Sequence, residues 1–172
     1  MSQNLTALDI EQELKSLAVD KSAKSISHPI LIIDDDKWMQ KIFEKYLLSW
    51  GFHPIPALDA YKGIALAIKY RPLIIFLDLL MPEVGGESLL KMLKEIELTN
   101  NIPIVVISAD LNMDVLSKTY ETGASDFISK PFSQQILYDK IKNNLSPLVF
   151  ASVDINELKL SDELITDFLS AE

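Results

Sequence analysis

The chain has no cysteine among its 172 residues, which excludes disulfides, thiol nucleophiles and cysteine-based zinc or iron–sulfur sites. Histidine occurs only at His28 and His53, too few for a histidine-based zinc site. Arginine occurs only at Arg71, so no cluster of guanidinium forks exists to grip a phosphate backbone. Bases number 16 against 25 acids, a formal net charge of −9, so bare nucleic acid would be repelled and no DNA binding is expected. Long apolar runs are missing as well. Stretches such as Leu73–Leu77 fall far short of the ~20 residues of a membrane span. The polar first ten residues do not resemble a secretory signal, and the expectation is a cytoplasmic protein with no membrane contact.

What remains is a chain that is 48% hydrophobic and 24% charged, enough to bury a sizeable core. Three segments separate by composition. Residues 1–28 hold one amphipathic pattern (Leu5, Leu8, Leu14, Leu17) and then a small, polar linker from Lys21 to Ser27. Residues 147–172 form an acidic tail. Ile155, Leu158 and Leu160 are followed there by Leu164, Ile165, Phe168 and Leu169, with Ser161 as a helix cap. The tail carries six acids and one base, more than half of the net negative charge.

Residues 29–146 alternate short apolar runs with helical stripes. The runs are Ile30–Ile33, Ile55–Ala57, Leu73–Leu77, Ile104–Ile107 and Phe127–Ile128. Between and after them come five stripes, led by Met39/Phe43/Leu47, Ile64/Ile68, Leu89/Leu93, Val115/Leu116/Tyr120 and Leu137/Ile141. Five such repeats predict an α/β fold, a parallel sheet buried on both faces.

Ligands of an open α/β sheet bind at the carboxyl ends of its strands. The residues that follow the runs are Asp34-Asp35-Asp36, Asp78, Ser108 and Ser129-Lys130-Pro131. Several carboxylates packed together must bind a proton or a cation. Oxygen-only ligands favour a hard ion, Mg²⁺ or Ca²⁺, and few protein ligands beside a hydroxyl favour Mg²⁺. A carboxylate beside such an ion, a lysine and a hydroxyl suits acceptance of a phosphoryl group. Any one of these sites alone is ordinary loop or cap chemistry. Four on one rim, in order, are hard to attribute to chance.

The runs Ile30-Leu31-Ile32-Ile33-Asp34-Asp35-Asp36, Phe76-Leu77-Asp78-Leu79-Leu80-Met81-Pro82, Val106-Ile107-Ser108-Ala109 and Phe127-Ile128-Ser129-Lys130-Pro131-Phe132 resemble the receiver domain of two-component response regulators, in particular a stand-alone chemotaxis receiver. The resemblance covers about Ile30 to Leu145. It implies a flavodoxin-like doubly wound five-stranded parallel sheet, order 2-1-3-4-5, with five helices, here flanked by short helical extensions. It implies Asp78 as phosphoacceptor, with Asp34, Asp35, Asp78 and the Leu80 backbone carbonyl holding Mg²⁺. It implies Lys130 and Ser108 as phosphoryl contacts, Phe127 as the aromatic switch, Ala109 as the small residue leaving room, and a cis Lys130–Pro131 bond. Family geometry suggests a readout face including Met113, Thr119, Tyr120, Ile128, Gln134 and Tyr138.

The implied function is a phosphoacceptor signalling switch rather than a turnover enzyme, with self-catalysed phosphotransfer and autodephosphorylation. Its partners would be a sensor histidine kinase or histidine phosphotransfer protein, and a downstream protein target; a homodimer is open. The 26 residues of the tail are too few for a winged helix or a cyclase, hence the expectation of a stand-alone receiver. A phosphorelay intermediate and a Mg²⁺-dependent aspartyl phosphohydrolase are the alternatives. Val84-Gly85-Gly86 departs from the family's Met-Asp-Gly and predicts a looser start to the third helix. Gly85-Gly86-Glu87 lacks the Phe of a cyclase signature, and Asp34-Asp35-Asp36 is followed by Trp38 where a haloacid-dehalogenase-type phosphatase wants Thr or Val.

Overall fold

The computed structural model describes residues 27–110 and 112–153, with Gln12 besides. Five strands, β1 (Pro29–Ile33), β2 (His53–Ala57), β3 (Ile74–Asp78), β4 (Ile104–Ser108) and β5 (Asp126–Ser129), alternate with α1 (Lys37–Ser49), α2 (Ala60–Tyr70), α3 (Gly86–Glu95), α4 (Met113–Thr122) and α5 (Gln134–Asn144). A sixth helix, α6 (Pro147–Ser152), follows. The strands form one parallel sheet in the order β2-β1-β3-β4-β5. The expected fold and strand order are therefore observed.

Strand alternation splits the core into two layers, because successive side chains point to opposite faces. Ile30, Ile32, Ile74, Phe76, Val105, Ile107 and Ile128 face one side, where they meet Phe43 and Leu47 of α1 and Leu137 and Ile141 of α5. Leu31, Ile33, Ile75, Leu77, Ile104 and Val106 face the other, against Ile64 and Ala67 of α2 and Leu89, Leu90 and Leu93 of α3. Every residue of β3 and β4 is buried, as a sheet covered by helices on both faces requires.

Each helix starts where a polar side chain caps it, with one exception. Asp36, Asp59, Asn112, Ser133 and Ser146 accept backbone N–H groups at the starts of α1, α2, α4, α5 and α6. Gly85 begins α3 with no side-chain cap, as the departure at Val84-Gly85-Gly86 predicts. At the other end of α4, Gly123 adopts φ 113°, a left-handed stop that suits a residue without Cβ.

One expectation needs amendment, and one lies outside the described residues. Six helices are present among the described residues, the five expected of the receiver and one in the C-terminal extension expected to be helical. The added one, α6, lies in the segment read as acidic tail and is too short to show helical periodicity. Val149 and Phe150 of α6 pack on the α1/α5 layer, Val153 is buried there, and His28 Nε2 lies 3.0 Å from Ser152 Oγ. In α4 the apolar stripe marks the buried side only in part: Val115 packs on the α2/α3 layer, but Tyr120 is 67% exposed and Thr119 turns fully inward instead. The expected helices over Leu5–Leu17 and Ser161–Leu169 lie outside the described residues.

Candidate functional site

The parallel strands end together, so their terminal residues gather on one rim. Strand pairing runs further along the chain than the apolar runs suggest: Asp78 pairs with Ile107 and Ser108 with Ser129. The carboxylate and hydroxyl thus sit on rigid sheet rather than on loops.

Asp34 is fully buried and Asp78 is 4% exposed. The Lys130 ammonium lies 2.9 Å from Asp34 Oδ2 and 2.9 Å from Asp78 Oδ2, donating to both. The remaining oxygens accept backbone amides. Asp34 Oδ1 takes the Asp36 N–H at 2.8 Å, and Asp78 Oδ1 takes the Leu80 N–H at 3.1 Å. Burial pushes the Asp34 carboxyl above the usual carboxylate range, against the pull of Lys130 and the Asp36 amide. Burial works against the charge on Lys130 too, but its bonds to Asp78 and Asp34 outweigh it and raise its affinity for the proton. The Lys130–Pro131 peptide is cis.

Asp35 is exposed, and it offers a carboxylate oxygen that lies within 4.8 Å of oxygens from Asp34 and Asp78. Three carboxylates balanced by one lysine leave excess negative charge, and all the donors are hard oxygens. That set fits Mg²⁺. Asp36 is not part of it: its side chain accepts Trp38 N–H at 2.8 Å as the cap of α1.

Ser108 is completely buried. Its Oγ accepts the Asp110 N–H at 3.1 Å and donates to the Asp110 carbonyl at 3.2 Å. A cavity of about 280 Å³ opens beside it, lined by Leu79, Gly86, Asp110 and Val115. Phe127 is half-buried against the α2/α3 layer, one residue before Ile128. Space for a moving hydroxyl therefore lies between the start of α3 and α4.

Three of the expected readout residues are drawn inward, Ile128 and Thr119 fully and Tyr138 in part. Ile128 is 1% exposed, because its place in β5 points it into the α1/α5 layer with Val105 and Ile107. Tyr138 stands edge-on to Trp50 at 5.3 Å and to Phe150 at 5.6 Å, so it closes the core toward α1 and α6. Thr119 is buried and bonds the Val115 carbonyl at 2.6 Å. Met113 (79% exposed) and Tyr120 remain on the surface of α4, and Gln134 is half-buried.

Two supports of the site have no counterpart in the sequence reading. Gln40 is buried, and its Nε2 donates to the carbonyls of Ile32, Asp34 and Ala57 at 2.9–3.1 Å. It thereby ties the ends of β1 and β2 together under Asp34. Its signal was a polar residue at helical spacing from Phe43 and Leu47 in an apolar stripe. Gly86 packs so closely on the Asp78 backbone that a Cβ would fall 2.4 Å from the Asp78 carbonyl oxygen. Only glycine lets α3 start directly beneath the phosphoacceptor candidate.

The sequence profile described as "Response regulator receiver domain" matches residues 30–142. The chain belongs to that family. The receiver is 32% identical over 113 residues to the DNA-binding dual master transcriptional regulator RpaA of Synechocystis, covering 66% of this chain and 47% of that protein. It is 28% identical over 144 residues to the hybrid signal transduction histidine kinase D of Dictyostelium discoideum, covering 83% of this chain and 9% of that one. The chain spans about half the length of the first curated relatives it matches. Among solved structures, the chemotaxis protein CheY4 of Vibrio cholerae superposes with a TM-score of 0.67 at 22% identity, covering 69% of this chain and 99% of that one. That likeness establishes the fold. The receiver family is a module of two-component signalling, and its members work with histidine kinases and bind Mg²⁺ at an acidic pocket. No helix among the described residues is long and apolar enough to cross a membrane.

Proposed function

We propose that this receiver takes a phosphoryl group onto Asp78 from the phosphohistidine of a sensor kinase and converts it into altered protein contacts, in the cytoplasm. The observation that carries the reading is the Lys130 ammonium, held 2.9 Å from both Asp34 and Asp78. It ties the nucleophile to the acidic pocket and stands ready for the oxygens of an incoming phosphoryl group.

In the proposed step a carboxylate oxygen of Asp78 attacks phosphorus, the P–N bond to histidine breaks, and the freed imidazole nitrogen takes up a proton. Water later cleaves the acyl phosphate and returns Asp78 with inorganic phosphate. Asp34, Asp35, Asp78 and the Leu80 carbonyl would hold Mg²⁺, which when bound neutralises charge on the transferring group. Lys130 moves its donated bond from the Asp78 carboxylate to a phosphoryl oxygen. The new charge, roughly −2, draws the Ser108 hydroxyl away from Asp110. Phe127 then follows into the vacated space, and the packing of α4 against β5 changes.

A second reading, a relay intermediate that passes the group to a histidine phosphotransfer protein, is supported by the relative that is a hybrid kinase. Transfer from phospho-Asp78 to such a protein would select it. The test of the main reading is incubation with acetyl phosphate and Mg²⁺, followed by intact mass. The expected result is a single addition of about 80 Da, one phosphoryl group, in the wild type and none in Asp78→Ala. An unmodified wild type, or sustained turnover of phosphate esters, overturns it.

A further inference from the structure

At the β2 margin of the sheet, a groove of about 270 Å³ runs between α1 and β2. Pro54, Pro56 and Leu58 wall it on the strand side, and Lys37, Lys41 and Lys62 rim it. One acid, Glu44, lines it and is paired with Lys41 at 2.7 Å, so positive charge is left over.

The margin does not accept another strand. The His53 N–H donates to the His28 carbonyl, toward the sheet. By strand alternation the outward-facing amides fall at positions 54 and 56, and both are proline, which has no N–H. An occupant must therefore dock through side chains. It needs an apolar face for the prolines and leucine, and acids for the lysines.

Residues 154–172 have that chemistry. They carry six acids and one base, with Ile155, Leu158, Leu160, Leu164, Ile165, Phe168 and Leu169 interspersed. The described chain also arrives at the right place. Ser152 meets His28, and the His28 carbonyl holds the first amide of β2, so the tail leaves from the foot of the groove. Five residues of β2 span about 16 Å, a distance that about eleven helical residues or five extended ones cover. The exposed surface of α4 is a poorer fit, because Asp114 and Glu121 outnumber Lys118 there, whereas the groove's lysines outnumber Glu44.

We infer that the acidic tail, residues 154–172, docks intramolecularly in the α1–β2 groove, with its acids on Lys37, Lys41 and Lys62 and its apolar side chains on Pro54, Pro56 and Leu58. The upper end of the groove, at Lys37, is two residues from Asp35, so a docked tail borders the acidic pocket. The inference goes beyond the phosphoacceptor reading and is tested without phosphorylation.

The absence of cysteine allows one clean label. Ser170→Cys carrying a nitroxide is placed in the otherwise unchanged, isotope-labelled full chain, and amide signals are compared before and after reduction of the nitroxide. The expected result is loss of the Lys37–Glu44 and Ala57–Lys62 signals, recovered on reduction, at ~0.5 M salt, and in the Lys37→Ala/Lys41→Ala/Lys62→Ala variant. Unchanged groove signals overturn the inference, as does loss centred on α4. Loss that survives the triple substitution does so too. So does loss that appears only between spin-labelled and isotope-labelled copies, which would make the occupant a second chain.

Discussion

Along the β2 margin, α1 and α2 sink Phe43, Leu47, Ile64 and Ala67 completely into the sheet, whereas along the β5 margin α4 turns only Thr119 fully inward. The contrast lies in α4 itself, since β2 buries two of its five residues and β5 one of its four, and α5 on the other face of β5 sinks Leu137 and Ile141 completely. The candidate site straddles the two regions. Asp34 belongs to the tightly packed side, Asp78 sits at the centre, and Ser108 and Phe127 look toward the thinly packed side. A charge placed on Asp78 meets its least resistance toward α4, where few contacts must be broken. The contrast thus suggests why a local event at Asp78 would be read out at α4 rather than at α1.

The largest expected effect tests the tight side. Phe43 is fully buried, with its ring tilted against those of Phe76 at 5.0 Å and Phe132 at 5.7 Å. Phe43→Ala is expected to cost about 3–5 kcal/mol, read by urea unfolding. A cost near 1 kcal/mol would erase the claimed difference between the margins.

Next comes the site itself. Two buried carboxylates share one lysine, and burial raises the pKa of Asp34. A carboxyl whose folded pKa lies above its unfolded value binds more protons in the folded state. Its ionisation therefore costs stability as pH rises through the folded pKa, and below the unfolded value that cost is absent. In metal-free protein, Asp34→Asn is expected to raise stability by about 1 kcal/mol at pH 7, with an advantage that shrinks toward about pH 4. The same variant is expected to lose Mg²⁺-dependent labelling of Asp78. Equal or lower stability at pH 7 would mean that Asp34 is better compensated than its surroundings indicate.

A smaller effect is expected at the start of α3. Gly85 has φ −61° and open space where a Cβ would stand, so nothing requires a glycine there. Gly85→Ser supplies the missing cap and is expected to add roughly 0.5–1 kcal/mol, read as a raised melting temperature. Gly86→Ser, one residue on, is expected to do the opposite because of the Asp78 backbone beneath it.

The parallel sheet and the acidic pocket were legible because both rest on strong, local signals, apolar runs ending on Asp34, Asp78, Ser108 and Lys130, whereas the strand order came from the resemblance to receivers. Gln40 was not legible, since a polar residue in an apolar stripe declares no partner until β1 and β2 are side by side. The C-terminal extension was expected to be helical, but the place of the helix at Pro147–Ser152 was not legible because six residues are too few to show a period. Ile128 and Tyr138 were placed on a readout face by analogy of position. The direction of a side chain follows from strand parity and helix phase, and these turn both residues toward α1.

The smallest expected effect completes the contrast. Tyr120 is as bulky as Phe43, but it projects from α4 with most of its surface in solvent. Tyr120→Ala removes little buried area and improves helix propensity, so stability is expected to change by less than about 0.5 kcal/mol. If the α4 surface carries the signal, the same substitution weakens capture of a downstream partner by the phosphorylated receiver and leaves labelling of Asp78 at the wild-type rate. A Tyr120→Ala protein that is destabilised as strongly as Phe43→Ala would show that α4 is anchored by this ring. The thinly packed margin would then have no claim to be the moving one.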